Sequence, residues 1–135
     1  GAIAHIVERT MDSMHDAYGT LPSDCYLFIG PSIGADSFEV SEEIAEQFRQ
    51  DMHTLGLSQV DQVVRYIQRQ GQMTPTPHVG LKGYIAACVV QKGVPVEQVS
   101  VSSTDTMITD GCYSYRRDQG RTGRMAMFAV LRDQA

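Results

Sequence analysis

An arginine-rich segment that runs directly into an apolar one constrains the fold of this chain more than any other feature. Residues 112–124 hold four of the eleven basic residues, together with two tyrosines. Residues 125–131 follow without a break and have the length and composition of a buried strand. A charged loop that leads into a buried strand lies at the edge of a core, where its charges need partners. We therefore predict a strand at 125–131 and an ordered loop before it.

Arg116 and Arg117 are the leading candidates for a binding site in that loop. A guanidinium presents five donors in a planar fork, which suits bidentate pairing with a carboxylate or a phosphate. One interpretation is that the pair holds an anionic ligand. The other is that it pairs with Asp105, Asp110 or Asp118 and locks the loop. The sequence leaves both interpretations open.

Two further residues are candidates for contact with a ligand. Ser32 lies in the bend 30–34, Gly-Pro-Ser-Ile-Gly, which follows the apolar run 25–29. Such a bend exposes backbone N–H groups that can hold an anion at the end of a strand, but a structural turn needs the same residues. Tyr115 directly precedes the arginine pair.

Hydrophobic periodicity predicts a mixture of helices and strands. Apolar residues at helical spacing predict a helix at 2–18 that ends at Gly19, and a helix at 42–55 that begins after the cap Ser41. The remaining predicted elements are the strands 25–29 and 37–40, a helix or strand at 60–67, a loop at 71–77, a helix from Pro77 to about Gly93 with Thr76 as its cap, and the strands 98–102 and 125–131. This order predicts an α/β or α+β fold in which helices are layered on a mixed sheet.

Length and composition indicate one globular domain. At 135 residues and 42% hydrophobic content, the chain can bury a sizeable core. No apolar run reaches the roughly 20 residues that span a bilayer, and the first residues lack the pattern of a signal peptide, so we expect a cytoplasmic protein without a membrane partner. Residues 1–64 carry eleven acidic and two basic residues, and residues 65–135 carry five and nine. This balance argues against nucleic-acid binding.

The cysteines and histidines show no pattern typical of a metal site. Cys25, Cys88 and Cys112 are odd in number and lack paired spacing, which argues against a disulfide framework and against a zinc module. His5 and His15 lie ten residues apart on the first predicted helix, so they cannot act together as i,i+4 ligands. We expect this chain alone to bind no metal.

Several motifs, in a fixed order, resemble one protein family. The segments 114–118, Ser-Tyr-Arg-Arg-Asp, and 122–126, Thr-Gly-Arg-Met-Ala, resemble the C-terminal signature of the laccase-domain (YfiH/YlmD-like) family. Residues 28–34 followed by 38–40, and residues 81–94, resemble two other segments of that family. The resemblance covers nearly the whole chain. It implies part of a CNF1/YfiH-like α/β fold, with residues 1–135 as the C-terminal part of a single domain.

The resemblance also indicates what this chain lacks. Family members are longer, and their zinc ligands lie in upstream motifs, Ala-Asp-Cys and His-x-Gly-Trp-x-Gly, that are absent here. It implies that the catalytic N-terminal half is absent, and that this chain holds no catalytic residue and no metal ligand. Ser103 stands where the family usually has a cysteine. Our candidates for residues near substrate or phosphate in the complete protein are Arg116, Arg117, Ser32 and Tyr115.

The resemblance implies a function for the complete protein and not for this segment alone. That function is phosphorolysis of purine nucleosides such as adenosine and inosine, together with adenosine deamination, in a zinc enzyme. An older assignment of the family is a copper-dependent polyphenol oxidase, or laccase, but such an enzyme needs several copper ligands that four scattered histidines do not supply. The alternative from another class is a non-catalytic scaffold. In either case we expect self-association or binding of the missing N-terminal half.

Overall fold

The computed structural model describes residues 1–133, which form four α-helices and four β-strands. The helices are α1 (Ile6–Tyr18), α2 (Glu42–Thr54), α3 (Val60–Val63) and α4 (Leu81–Gln91). The strands are β1 (Leu27–Ile29), β2 (Val64–Ile67), β3 (Thr76–Val79) and β4 (Val99–Val101). Short 3-10 helices occur at Ala2–Ala4, Pro22–Asp24 and Val96–Gln98. No helix in the described part of the chain is long and apolar enough to cross a membrane.

The strands form two separate pairs. β1 and β4 run parallel, with Leu27 opposite Val99. β2 and β3 run antiparallel, with Val64 opposite Val79. A parallel pair needs a long crossover, and here the crossover contains the other strand pair and three of the helices. The predicted α/β class with mixed strand directions is confirmed, although residues 1–133 contain two strand pairs and not one continuous sheet.

The main core lies where α2 and α4 pack near the β2–β3 pair. Phe48 and Met52 lie four residues apart on the buried face of α2. Phe48 meets the ring of Tyr84 edge to face, with 4.9 Å between ring centroids. The buried members of this core are Ala45, Phe48, Met52, Leu57, Val63, Val64, Val79, Tyr84 and Cys88. A smaller cluster consists of Met11, Val89 and Val94.

The structure confirms several predicted element ends. The Ser41 hydroxyl accepts a hydrogen bond from the Ile44 N–H at 3.3 Å and caps α2. Gly19 follows α1 in the left-handed conformation, with φ of 69°. The strands β1 and β4 lie within the predicted ranges 25–29 and 98–102. Local sequence chemistry therefore sets these boundaries.

The predicted helix at 2–18 is interrupted at His5. This residue takes the left-handed conformation, with φ of 56° and ψ of 42°, between the 3-10 helix Ala2–Ala4 and α1. Such a backbone is uncommon for a residue other than glycine. The His5 side chain stabilises it by hydrogen bonds to Glu8 and Asp51, at 2.9 and 2.8 Å.

Of the two predictions between α1 and α4, at 37–40 and at 60–67, the first needs correction. Residues 37–40 form a single β-bridge, Glu39 to His78, and not a strand. The N–H groups of Ser37 and Phe38 turn back to the Gly34 carbonyl, at 3.1 and 3.0 Å, and so are not available to a strand partner. The alternatives for 60–67 both occur, because α3 passes directly into β2.

The predicted helix cap at Thr76 is wrong. Thr76 and Pro77 lie in β3, and α4 begins at Leu81 after Gly80. Proline is compatible with this strand because, among the described residues, β3 pairs with a strand on one side only and its other side carries the single bridge Glu39–His78. The Pro77 carbonyl accepts the Val40 N–H at 3.0 Å.

The predicted strand at 125–131 does not form. No strand within residues 1–133 pairs with this run, so its backbone lacks sheet partners and its side chains are exposed. Phe128 is 92% exposed and Leu131 is 99% exposed. The run passes the end of β1, where Met127 lies beside Gly30.

Candidate functional site

A cleft of about 760 Å³ lies between the segment 37–41 and the arginine loop. We refer to it as the Arg116 cleft. Its lining combines an aromatic ring and apolar groups with a few charged groups, which is the usual composition of a small-molecule site. Six of its lining residues are Ser37, Phe38, Glu39, Arg69, Met107 and Arg116.

Arg116 is held in the cleft by two contacts. Its Nη1 donates a hydrogen bond to the Glu39 carbonyl at 2.7 Å. Its guanidinium carbon lies 5.2 Å from the centroid of the Phe38 ring, which is a cation–π geometry. A guanidinium has five N–H donors, so this arrangement fixes the group and leaves further donors for an anion in the cleft. A second guanidinium, that of Arg69, is anchored by the Asp36 carbonyl.

Behind Glu39 lies a fully buried histidine. The His78 Nδ1–H donates a hydrogen bond to the Thr76 carbonyl at 2.9 Å. The direction follows because a carbonyl oxygen can only accept. Its Nε2 has no hydrogen-bond partner among the described residues, and Glu39 Oε2 lies 3.9 Å away. The interaction is attractive only when the ring is protonated. The wall of the cleft behind Glu39 thus contains a buried imidazole nitrogen without a hydrogen-bond partner among the described residues.

Arg117 points away from the cleft and organises its own loop. Its Nε and Nη2 donate to the two carboxylate oxygens of Asp118, at 2.9 and 3.2 Å. It also donates to the carbonyls of Thr106 and Cys112, at 3.2 and 2.7 Å. The hydrogen bond from Arg117 lowers the pKa of Asp118 below its usual value. Of the two interpretations of the arginine pair, the contacts of Arg117 match the structural one.

The bend at 30–34 contacts an anionic side chain of the same protein, the Asp105 carboxylate. The Asp105 carboxylate accepts hydrogen bonds from the Ser37 hydroxyl at 2.5 Å and from the Met107 N–H at 2.9 Å. It also accepts one from the Gly34 N–H. Burial alone would raise the pKa of Asp105, but these hydrogen bonds outweigh it, so the pKa lies below its usual value.

Ser32 and Tyr115 do not join Arg116 in the cleft. Ser32 forms a β-bridge with Asp105, and its carbonyl accepts the Thr106 N–H at 3.1 Å. Tyr115 is 67% exposed, and the Arg124 guanidinium lies 5.9 Å from its ring centroid. Of the four residues predicted to lie near a ligand, Arg116 is the one that lines this cleft.

Few sequence features pointed to the other cleft residues. Phe38 and Glu39 fall in a segment predicted as a plain strand, and Arg69 is far from the arginine loop in sequence. The sequence placed His78 in the first turn of a predicted helix. The residue is instead buried in β3, and this burial depends on the pairing of β3 with β2. What the cleft offers chemically is a cationic group for an anion beside an aromatic ring for a flat apolar group.

Comparison with known proteins relates the whole described chain to one family. A family model described as multi-copper polyphenol oxidoreductase laccase matches residues 1–132. A purine nucleoside phosphorylase of Deinococcus radiodurans is 33% identical over 125 residues, covering 93% of this chain and 43% of that protein. Purine nucleoside phosphorylase YlmD of Bacillus subtilis is 29% identical over 134 residues, covering 98% and 45%.

A solved structure has the same fold. The hypothetical protein YfiH of Bacillus licheniformis superposes with a TM-score of 0.76 at 28% sequence identity, covering 91% of this chain and 43% of that one. The chain therefore spans less than half the length of each of these relatives.

Proposed function

Because the chain belongs to the multi-copper polyphenol oxidoreductase laccase family, we propose that it is the C-terminal part of a purine nucleoside phosphorylase. Both sequence relatives described above carry that name, and each is more than twice as long as the part that this chain covers. In the complete protein, a phosphate oxygen attacks C1′ of the ribose while the bond to the purine nitrogen breaks. The catalytic groups come from the N-terminal half, and the substrates are adenosine, inosine and related nucleosides. We place the protein in the cytoplasm.

Arg116 carries the proposal for this part of the chain. Phosphorolysis needs a bound phosphate anion, and a guanidinium is well suited to bind it through charge-assisted hydrogen bonds. Arg116 is fixed by the Glu39 carbonyl and the Phe38 ring while it faces a cleft large enough for a small molecule. We assign Arg116 to the phosphate or substrate and Arg117 to the loop that carries it. Ser32 and Tyr115 support the same loops from outside the cleft.

The residues present here do not fit the metal centre that the family description implies. Several histidine and cysteine ligands are needed for a copper cluster. Within residues 1–133, the one set of three such donors that can meet on a cation is His5, Glu8 and Cys88, which contains a single histidine and lies apart from the cleft. We therefore assign zinc chemistry, and with it adenosine deamination, to the N-terminal half, and we derive no step through a metal here.

The exposed apolar run at 125–131 supports a partner role for the same segment. Its neighbour β1 has no strand on its second side within the described residues, and Phe28 of β1 is exposed. We propose that the run pairs as a strand with the N-terminal half of the complete protein. The second candidate function, a scaffold without catalysis, rests on this same exposed run. An activity assay of the full-length protein distinguishes the scaffold from the phosphorylase.

The test compares arginine variants of the full-length protein. Arg116→Ala should raise the KM for phosphate or nucleoside by about tenfold to a hundredfold, since a hydrogen bond to a charged group is worth roughly 1.5–3 kcal/mol. Its melting temperature should stay at the wild-type value, because Arg116 is exposed. Arg121→Ala is the matched control, since Arg121 is an exposed arginine of the same loop that does not line the cleft.

Two results would contradict the proposal. Unchanged kinetics for Arg116→Ala would remove Arg116 from the substrate site while leaving the reaction intact. A full-length protein that releases no purine base from inosine or adenosine in the presence of phosphate would exclude the reaction itself and leave the scaffold function.

A further inference from the structure

We propose that His5, Glu8 and Cys88 form a binding site for a divalent cation of the zinc class, at the junction of α1 and α4. The Nδ1 or Nε2 of His5, a carboxylate oxygen of Glu8 and the Sγ of Cys88 lie within 4.8 Å of one another. These are the nitrogen, oxygen and sulfur donors that zinc accepts. The site is separate from the Arg116 cleft, and the proposal does not depend on the phosphorylase function.

The donors can converge with small side-chain movements. His5 Nδ1 and Glu8 Oε1 are 2.9 Å apart, which suits two ligands of one ion at zinc–ligand distances of about 2.0–2.2 Å. The Cys88 thiol reaches them from α4, so the ion would join two helices that are distant in sequence. Spacing within α1 excluded a pair of histidine ligands, and the third ligand from α4 is visible only in the folded chain.

A carboxylate fixes the orientation of the His5 ring, as is usual for metal-binding histidines. Asp51 Oδ1 lies 2.8 Å from Nε2, on the side of the ring away from Glu8. Asp51 is held in turn by the Tyr84 hydroxyl, which donates to its Oδ2 at 2.6 Å. A carboxylate that accepts from one ring nitrogen leaves the other nitrogen free to coordinate and increases its basicity. This second contact is independent of the three proposed ligands.

The backbone places His5 for this role. His5 holds its left-handed conformation between a 3-10 helix and α1, and in that conformation its ring lies over the first turn of α1, where it meets Glu8. A non-glycine residue in this region carries backbone strain, and such residues cluster at functional sites. Within residues 1–133 the other non-glycine residue with positive φ is Gln119, in the arginine loop.

The site has access to solvent. His5, Glu8 and Cys88 line a cavity of about 510 Å³ together with Gln91 and Lys92. Cys88 itself is buried, while His5 and Glu8 are half-buried, so the cavity mouth leaves room for water as a fourth ligand. The Lys92 ammonium is 2.6 Å from Asp12, so its charge is paired outside the site.

Burial and neighbouring groups shift the pKa of two of the proposed ligands. Burial, and then the charge of Glu8, raises the pKa of Cys88 to about 12, so its thiol holds a proton. The hydrogen bond with Glu8, and then that with Asp51, raises the pKa of His5. Binding of a cation requires the thiol proton, and any proton on Nδ1, to leave to solvent.

The test uses Co²⁺ as the probe for the site in the full-length protein. Bound Co²⁺ should give a thiolate-to-metal charge-transfer band and tetrahedral d–d bands, and added Zn²⁺ should remove both. A difference spectrum between wild type and Cys88→Ser cancels any metal site elsewhere in the protein. We expect Cys88→Ser to lose the part of the charge-transfer band that belongs to this site, and the control Cys112→Ser to keep the full wild-type band.

Two further variants keep the test valid if Cys88→Ser folds poorly. Glu8→Gln changes a half-buried helix residue and should weaken Co²⁺ binding at this site, and Asp51→Asn should weaken it by about tenfold to a hundredfold. Zn²⁺ should also raise the melting temperature of wild type more than that of Glu8→Gln. A charge-transfer band that is unchanged in Cys88→Ser, or Co²⁺ affinity unaffected by Glu8→Gln and Asp51→Asn, would overturn the proposal.

Discussion

At the scale of single residues, the bend at 30–34 shows that one of the chain's own carboxylates can take a place suited to an anion. Its glycines and exposed N–H groups indicated a place for an anion, and the structure puts the Asp105 carboxylate there. Ser37 and Asp105 are 68 residues apart in sequence. The bend was predictable because glycine and proline act on the local backbone. The contact with Asp105 was not predictable, because Asp105 is distant in sequence.

Asp105→Asn should destabilise the fold and weaken its dependence on acid. The folded-state pKa of Asp105 is lowered, so its contribution is present above the unfolded pKa of about 3.9 and is lost as pH falls through the folded value. We expect a loss of about 1 kcal/mol at neutral pH, since Asp105 is partly exposed, and a shallower fall in stability below pH of about 4. Urea denaturation at several pH values measures both, with the exposed Asp110→Asn as control. Equal acid dependence in the two variants would contradict this prediction.

Gly34→Ala should destabilise the fold more than Gly30→Ala. A Cβ on Gly34 would lie 2.7 Å from the Asp105 carboxyl carbon, whereas a Cβ on Gly30 would meet Met127 at 3.8 Å, an ordinary contact. Overpacking of this kind costs about 1–3 kcal/mol. Thermal melting of both variants gives the comparison, and equal melting temperatures would show that Asp105 moves aside without cost.

At the scale of elements, the arginine loop is an ordered structure without helix or strand. Arg117 joins Asp118 to the carbonyls of Thr106 and Cys112, so one side chain connects two turns of the chain. The sequence predicted an ordered loop from its charges. It did not predict that Arg116 lines the cleft while Arg117 contacts its own loop. The direction of each side chain depends on the local backbone conformation, which the sequence did not show.

Arg117→Ala should lower the melting temperature, and Arg117→Lys should restore little of the loss. An ammonium has no fork and cannot reach a carboxylate and two carbonyls at once. Arg116→Ala should leave the melting temperature unchanged. If Arg117→Lys melts like wild type, the fork geometry is not what orders the loop.

The β3 segment shows why a local signal fails at the scale of elements. Thr76 and Pro77 have the sequence of a helix start, yet both lie in a strand that pairs with β2 and also binds Val40. Pairing of β3 with β2 outweighed the local helix signal, so α4 begins at Leu81 and not at Pro77. The helix α2, by contrast, has strong hydrophobic periodicity and a local cap at Ser41, and its end was predicted to within one residue.

At the scale of the whole molecule, the main discrepancy is the apolar run at 125–131. Its composition predicts a buried strand, and its exposure follows from the lack of a partner within residues 1–133. Composition gives the run the local preference of a strand, but strand formation and burial depend on a partner from the rest of the fold. The chain spans less than half the length of these relatives.

The isolated chain should self-associate through this run, and Phe128→Asp should reduce the association. Exposed apolar patches beyond a few hundred Å² are uncommon on monomers, and Phe128 is among the most exposed large side chains here. Sedimentation at a series of concentrations measures the effect. Val96→Asp is the control, because Val96 is 70% exposed on a different surface. A wild-type chain that stays monomeric at all concentrations would contradict the prediction.

The parallel pairing of β1 with β4 has a consequence for the order in which the chain folds. Leu27 meets Val99 only after the intervening residues have become compact, because closing a flexible loop of that length costs entropy before any contact repays it. The segment from α2 to α4 contains the main core and makes its contacts nearby in sequence. The amides of β1 and β4 should therefore gain protection last during refolding, and in the native state they should exchange with deuterium earlier than those of α2.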